Sequence, residues 1–104
     1  MLTPQAFADL QVFLDDVISY AAVTIDGKTE KYPIYRREHL EDGHTAVFIQ
    51  ITPAENLEGV TVQKVQLFNK NNQPWAVKAE KIPLEEVQEG VLYRFTFKFL
   101  EEEV

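Results

Sequence analysis

The most constraining feature of this sequence is a strict alternation in segment 91–100, which reads VLYRFTFKFL. One alternating set is entirely apolar or aromatic, namely Val91, Tyr93, Phe95, Phe97 and Phe99. Successive side chains of a β-strand point to opposite faces, so a strand would place all of these side chains on one face. A helix would distribute them around its axis. The segment therefore predicts a core strand whose aromatic face is covered by the rest of the chain.

The length and composition are those of one ordinary globular domain. The 104 residues are enough to build a hydrophobic core, and the 45% hydrophobic and 26% charged residues differ from the composition of disordered and membrane proteins. We therefore expect a single domain over residues 1–104. Within it we expect a helix at about 4–19, a β-rich body at about 20–100 and an acidic tail at 101–104.

The amino-terminal segment bears on localisation. Segment 1–20 contains three aspartates and no lysine or arginine, unlike a usual signal peptide, and no apolar run approaches the length of a membrane span. We expect the chain to fold in the cytoplasm and not to bind a membrane.

The net charge of −7 disfavours nucleic acid as a partner, because nucleic-acid binding depends on basic side chains that neutralise phosphates. The most basic segment contains Lys31, Arg36 and Arg37 and is followed by acidic residues. We interpret these three side chains as a solvated strand edge rather than a phosphate site.

A helix is predicted at the amino-terminal end. Thr3 can cap free backbone amides, and Pro4 suits the first helical turn because its missing N–H has no partner to lose there. The apolar residues at helical spacing are Phe7, Leu10, Leu14, Val17 and Ile18, and those expected to face water are Asp9, Gln11, Asp15 and Asp16. The apolar stripe suits either an exposed docking helix or a helix packed on the domain's own sheet. The second interpretation is favoured.

Two Asp-Gly pairs predict hairpins in the first half of the body. A two-residue turn at Asp26-Gly27 pairs Ile25 with Lys28, and a second at Asp42-Gly43 pairs Glu41 with His44 and Leu40 with Thr45. Together they predict a three-stranded meander with eight core residues on one face, namely Ala21, Val23, Ile25, Tyr32, Ile34, Val47, Ile49 and Ile51. Pro33 predicts a bulge, a bend or an edge in the middle strand.

Another hairpin is predicted in the second half. The strand 60–68 changes face near Gln63-Lys64, which indicates a bulge, and 69–73 is a polar turn before a return strand through Trp75. We expect 53–59 to be a loop and 83–90 to contain a helical turn closed by Gly90. The predicted fold class is α+β, mainly β: one amphipathic helix followed by about six antiparallel strands in a sandwich-like or curled sheet.

Residues suited to catalysis are scarce. The absence of cysteine excludes disulfides and thiol nucleophiles, and the single serine, Ser19, has no glycine elbow around it. The carboxylates show no spacing that would bring two of them together in a cleft. We expect no enzymatic activity and no cofactor.

A metal site is one possibility at the second hairpin. If Glu41 lies opposite His44, then His39, Glu41 and His44 project from one face, and these residue types suit zinc. The alternative is a pH-sensitive or simply polar hairpin end. That alternative is favoured, so no metal is expected.

An aromatic patch is predicted on the other face of the meander. Tyr20, Pro33, Tyr35 and Phe48 would share this face and, if open to solvent, would mark a protein–protein interface or self-association. The alternative is that the helix or a second sheet covers them. We favour the covered arrangement, because monomers rarely expose large contiguous apolar areas.

The order of features from Asp42 to Lys81 carries a family resemblance. The matching segments are the Asp42-Gly43 turn, TAVFIQIT at 45–52, GVTVQKVQLF at 59–68 and NKNNQPWAV at 69–77. This order resembles the small amino-terminal domains of bacteriophage tail-fibre and baseplate proteins. The leading helix is similar too.

The resemblance implies a non-enzymatic phage or prophage tail or baseplate component that acts by assembly. Its partners would be other assembly proteins or further copies of itself, and its location would be the bacterial cytoplasm and then the virion. By position, the resemblance points to Leu67, Phe68 and Trp75 as contact residues, the alternative being that they form the core of their hairpin. A second functional hypothesis is a small cytoplasmic module that binds a protein or peptide at a sheet edge or aromatic patch.

Overall fold

The fold is taken from a computed structural model that describes residues 1–41, 43–52, 60–84 and 90–100. Within these ranges the chain forms helix α1 (Pro4–Val17) and seven strands. The strands are β1 (Ile18–Ile25), β2 (Lys28–Pro33), β3 (Arg36–His39), β4 (His44–Ile51), β5 (Thr61–Asn69), β6 (Pro74–Pro83) and β7 (Val91–Lys98). All strand pairings are antiparallel. The predicted class, α+β and mainly β with an amino-terminal helix, is confirmed.

The strands form two sheets with the core between them. The four-stranded sheet has the order β2-β1-β5-β6, and the three-stranded sheet has the order β3-β4-β7. Both sheets contribute to one hydrophobic cluster, whose least exposed members are Leu14, Ile18, Ala21, Val23, Val47, Ile49, Ile51, Val62, Val65, Leu67 and Leu84. Tyr93 and Phe95 of β7 are also buried in this cluster, as the alternation in 91–100 predicts.

Helix α1 begins as its sequence predicts and ends earlier. The Thr3 hydroxyl accepts a 3.2 Å hydrogen bond from the Ala6 N–H, and Pro4 occupies the first turn. The helix ends at Val17 rather than residue 19, because Ile18 already has extended backbone (φ −79°, ψ 114°) and starts β1. Leu14 is the buried side chain of the helix and joins the core of the same chain.

The first hairpin has the predicted register. Ile25 pairs with Lys28 and Ala21 pairs with Tyr32. Asp26 and Gly27 have φ values of +45° and +83°, which a two-residue type I′ turn requires at both central positions.

The predicted register of the second hairpin is wrong by one residue. His39, not Leu40, pairs with Thr45, and the Leu40 N–H donates a 2.8 Å hydrogen bond to the His44 carbonyl. The loop therefore has three residues, 41–43, instead of two. Gly43 has φ +88° and donates to the Leu40 carbonyl at 3.1 Å, which suits a three-residue loop that closes on a left-handed glycine.

The predicted three-stranded meander is also wrong, because the chain changes sheet in its middle strand. β2 ends at Pro33 on the edge of the four-stranded sheet, and β3 starts at Arg36 on the edge of the other. An edge and a bend are two of the three possibilities that the sequence analysis gives for Pro33. The eight predicted core residues do face the core, but they do so from two sheets that face each other. The alternation of side chains shows which face of a strand is buried, but it does not show to which sheet the strand belongs.

The second half follows its prediction closely. β5 and β6 form a hairpin, and the register of β5 shifts between Val62 and Lys64, where the bulge is predicted. β7 pairs with β4, which places the aromatic strand in the three-stranded sheet. The predicted loop at 53–59, most of the predicted turn at 83–90 and the tail at 101–104 lie outside the described residues.

In the part of the chain that is described, no helix is long and apolar enough to cross a membrane.

Candidate interaction surfaces

Tyr20 and Phe68 form a stacked pair on the outside of the four-stranded sheet. They lie opposite each other on β1 and β5, with ring centroids 5.1 Å apart and ring planes 1° from parallel. The Lys31 ammonium lies 4.2 Å from the Tyr20 centroid, and the Tyr20 hydroxyl donates a 3.0 Å hydrogen bond to Asn72 Oδ1. Tyr20 is thus held by neighbours from three elements.

Tyr35 and Phe48 lie on the other sheet, so the predicted continuous patch with Tyr20 does not form. Phe48 belongs to β4, is 8% exposed and has the Arg36 guanidinium 4.5 Å from its ring centroid. Tyr35 lies just before β3 and is 58% exposed. Two pairs of the predicted patch remain neighbours. Tyr20 pairs with Pro33 across β1 and β2, and the Tyr35 N–H donates a 2.8 Å hydrogen bond to the Phe48 carbonyl.

The three contact candidates in the β5–β6 hairpin differ in exposure. Leu67 is fully buried in the core. Phe68 is half-buried in its stack with Tyr20, and Trp75 is 37% exposed with its ring 5.4 Å from Phe97 in an edge-to-face contact. Leu67 is therefore a core residue, whereas Phe68 and Trp75 reach the surface.

The premise of the predicted metal site is wrong. Glu41 does not pair with His44, because the three-residue loop places Leu40 opposite His44. His39 instead contacts the helix, with its Nε2 2.8 Å from Asp15 Oδ2. Among the residues that the structure describes, no group of three His, Asp or Glu side chains is placed to hold a metal ion.

The contact between Asp15 and His39 belongs to a polar junction that fastens α1 to β3. Arg37 donates through Nη2 to the Ile18 carbonyl at 2.8 Å, at the point where α1 becomes β1. Asp15 Oδ1, Arg37 Nη1 and Thr45 Oγ1 are buried and have no hydrogen-bond partner within the described segments. The sequence prediction placed Asp15 in water and Arg37 on a solvated edge. β3 is an edge strand as predicted, but Asp15 and Arg37 are half-buried, because the helix end contacts β3 through His39 and Arg37.

An open apolar groove lies at one end of the molecule. It has a volume of about 810 Å³ and is bounded by the start of α1, the β3–β4 loop and the end of β7. Its apolar lining comes mainly from Met1, Leu2, Phe7, Phe99 and Leu100.

The outer face of the four-stranded sheet, which we call the lysine face, carries basic and neutral side chains. Cross-strand pairs place Lys31 beside Ala22, Lys64 beside Thr24 and Val77 beside Gln66, and Lys81 follows on the same side of β6. Twelve of the outward positions on β1, β2, β5 and β6 make up the lysine face, namely Tyr20, Ala22, Thr24, Thr29, Lys31, Pro33, Lys64, Gln66, Phe68, Val77, Ala79 and Lys81. None of these twelve is acidic, although the chain has a net charge of −7.

The exposed side of α1, which we call the helix face, has the opposite character. Val12 and Phe13 are 61% and 53% exposed, and Asp9 and Asp16 flank them at helical spacing. The helix Pro4–Val17 contains three aspartates and no lysine or arginine. The sequence analysis predicted that Asp9 and Asp16 face water, but it did not identify Val12 and Phe13 as exposed.

Two tyrosines have perturbed pKa values. Burial raises the pKa of Tyr93, and the hydrogen bond that its hydroxyl donates to Glu80, with the charge of that carboxylate, raises the pKa further. Burial also raises the pKa of Tyr32, with a smaller contribution from Glu30. Both hydroxyls serve as structural donors, Tyr93 to Glu80 at 2.9 Å and Tyr32 to the Thr52 carbonyl at 3.1 Å.

No protein-family model matches the sequence, and no curated protein or solved structure matches the chain. The function is therefore inferred from the surfaces described above.

Proposed function

We propose that this chain is a non-enzymatic assembly component of the phage or prophage tail or baseplate type, which acts through protein–protein contacts. The observation that carries the proposal is the exposure of large apolar side chains on the outside of the β-sandwich and its helix. Val12, Phe13 and Val77 each expose more than half of their surface, at 61%, 53% and 54%.

Exposed side chains of this kind favour contact with another protein. Val12 and Phe13 are adjacent on one helix and form a single apolar surface with a polar border. Val77 lies on a sheet face that also carries the aromatic pair of Tyr20 and Phe68. Apolar and aromatic side chains with a polar rim are typical of protein interfaces.

The phage assignment rests on the resemblance of 42–81. The hairpin of β5 and β6, Thr61–Asn69 with Pro74–Pro83, is the element that contains most of the matching residues. Its turn is held by Asn69, whose Oδ1 accepts hydrogen bonds from the N–H groups of Asn71 and Gln73 at 2.9 and 3.0 Å. A hairpin fixed in this way is suited to a place in a larger rigid assembly.

Incorporation into particles tests the proposal. An epitope-tagged copy of the chain is expressed in its source bacterium, particles are induced and purified on a density gradient, and the tag is detected by immunogold microscopy. We expect gold at the tail or baseplate, with the untagged strain as the control. Particles that lack the chain, and that assemble normally when its gene is deleted, would contradict the proposal.

A second candidate function, peptide binding, is favoured by the groove at the start of α1. Its volume of about 810 Å³ is within the usual range for binding clefts, and Phe7 and Phe99 give it an aromatic lining. A titration of ¹⁵N-labelled chain with apolar peptides should shift the amides of Phe7, Gly43 and Phe99. Shifts that are absent or spread evenly over the chain would exclude this function.

A further inference from the structure

We propose that the helix face of one copy docks on the lysine face of a second copy, so that the chain assembles head to tail. This inference rests on the proposed assembly function and names its partner. The helix face consists of Asp9, Val12, Phe13 and Asp16. Its receptor is the part of the lysine face around Val77, bordered by Lys64 and Lys81.

The charges of the two surfaces are complementary. The helix face contributes acidic charge from Asp9 and Asp16, and Pro4–Val17 contains no basic residue. Asp16 also forms a 2.8 Å ion pair with Lys70 of its own chain. The twelve positions of the lysine face contribute only basic charge, from Lys31, Lys64 and Lys81. In a chain with net charge −7, such a separation brings unlike surfaces of two copies together and keeps like surfaces apart.

The apolar groups also match. Val12 and Phe13 lie between Asp9 and Asp16 on the helix. Val77 lies opposite Gln66 on the sheet, with Lys64 two residues before Gln66 on β5 and Lys81 four residues after Val77 on β6. Docking therefore brings apolar side chains together at the centre and ion pairs at the border. This is the usual arrangement of an interface, with an apolar core and a polar rim.

The shapes of the two surfaces are compatible. A helix of 14 residues is about 21 Å long, and four strands present a face about 14 Å across between the outer strand axes. Helices commonly pack on one face of a sheet in this way. In the isolated chain, the described elements leave Val77 of the edge strand β6 54% exposed, so this edge of the lysine face is accessible.

The interface is heterologous, because the helix face and the lysine face are different surfaces of one molecule. Each copy that docks through its helix still offers its own lysine face to the next copy. Such contacts generate a ring if the rotation closes and a filament if it does not. Either product is a form that a component of a symmetric assembly can use.

Two variants, each impaired in one surface, test the inference. The helix-face variant is Val12→Gln with Phe13→Gln, which removes the apolar centre and retains good helix formers. The sheet-face variant is Lys64→Glu with Val77→Glu, which repels the aspartates of the helix. The control is Leu92→Glu, at a 47% exposed position on the outside of the three-stranded sheet. Circular dichroism and thermal unfolding establish that each variant is folded.

Sedimentation velocity then measures association. We expect the unmodified chain and the Leu92→Glu control to form species larger than a dimer as concentration rises. Each surface variant alone should associate with a Kd raised at least about tenfold. An equimolar mixture of the two surface variants should form a complex of two chains and nothing larger, because one intact helix face meets one intact lysine face.

Three results would overturn the inference. In the first, the unmodified chain stays a single chain at every concentration. In the second, the mixture of the two surface variants forms no two-chain complex. In the third, the Leu92→Glu control associates as poorly as the surface variants. The chain's presence in purified particles together with any of these results would overturn head-to-tail docking and leave the assembly function standing. Head-to-tail docking without incorporation into particles would overturn the phage assignment alone.

Discussion

The Tyr93 hydroxyl donates a 2.9 Å hydrogen bond to the Glu80 carboxylate and so links an edge strand of one sheet to an edge strand of the other. Tyr93 lies on β7 and Glu80 on β6, and each of these strands is the last of its sheet. On the opposite side of the sandwich the chain passes from β2 to β3 between Pro33 and Arg36. The hydrogen bond is thus a polar contact that helps to close the sandwich on the side of β6 and β7.

Replacement of Tyr93 by Phe should weaken this closure. A hydrogen bond to a charged group stabilises a fold by about 1.5–3 kcal/mol, and Glu80 is half-buried, so we expect Tyr93→Phe to lower the free energy of unfolding by about 1–2 kcal/mol. Urea denaturation measures the change. The matched control is Tyr35→Phe at a 58% exposed tyrosine, which should stay within about 0.5 kcal/mol of the unmodified chain. Equal effects of the two replacements would contradict this role of Tyr93.

The raised pKa of Tyr93 predicts a loss of stability at alkaline pH. The native chain holds the Tyr93 proton more tightly than the unfolded chain, whose tyrosines titrate near pH 10, so this contribution is complete below about pH 10. Above that pH the unfolded chain loses the proton first, and the free energy of unfolding falls. The advantage of the unmodified chain over Tyr93→Phe should shrink as pH rises from about 10 to about 12. An advantage that grows over this range would show the sign to be wrong.

Leu14 should dominate the attachment of the helix. It is 2% exposed and is the buried residue of α1, so Leu14→Ala should lower the free energy of unfolding by about 2–5 kcal/mol. Val12→Ala, two residues away and 61% exposed, is the control and should cost less than about 0.5 kcal/mol. Chemical denaturation followed by circular dichroism compares them. If Leu14→Ala is as mild as Val12→Ala, the helix does not pack on this core.

Gly90 should tolerate a side chain less well than Gly27. Gly90 has φ +137°, and a Cβ atom there would lie 2.7 Å from Gln50 Nε2 and 3.0 Å from the Ile51 carbonyl oxygen. Gly27 has φ +83° and open space around it, so its replacement adds backbone strain alone. We expect a loss of about 2–4 kcal/mol for Gly90→Ala and about 1–2 kcal/mol for Gly27→Ala in thermal unfolding. The reverse order would refute the close approach of Gly90 to β4.

The elements that local pattern determines could be predicted. Alternation in 91–100 reports the buried face of β7 because a strand has a fixed period of two. The hairpin at Asp26-Gly27 could be predicted because its turn type fixes both the loop length and the register. The bulge near Gln63 could be predicted because the apolar residues change there from even-numbered to odd-numbered positions.

The elements that depend on contacts between distant segments could not be predicted from the sequence. Asp42-Gly43 suits both a two-residue and a three-residue loop, and only the pairing of His39 with Thr45 distinguishes them. The sheet to which a strand belongs depends on packing, so the passage from one sheet to the other after Pro33 gives no local signal beyond a break. The lysine face arises from the registers of four strands together, and no segment of the sequence contains it.

Docking between copies is tested most directly by a distance measurement between two chains. The chain contains no cysteine, so Ala8→Cys, at an exposed position next to Val12 on the helix, accepts a single spin label. Labelled chain is mixed with unlabelled ¹⁵N chain, and paramagnetic broadening of the ¹⁵N amide signals is recorded. We predict selective broadening at Lys64, Val77 and Lys81. Broadening that is absent, or that falls on the three-stranded sheet around Leu92 instead, would contradict the docking of helix face on lysine face.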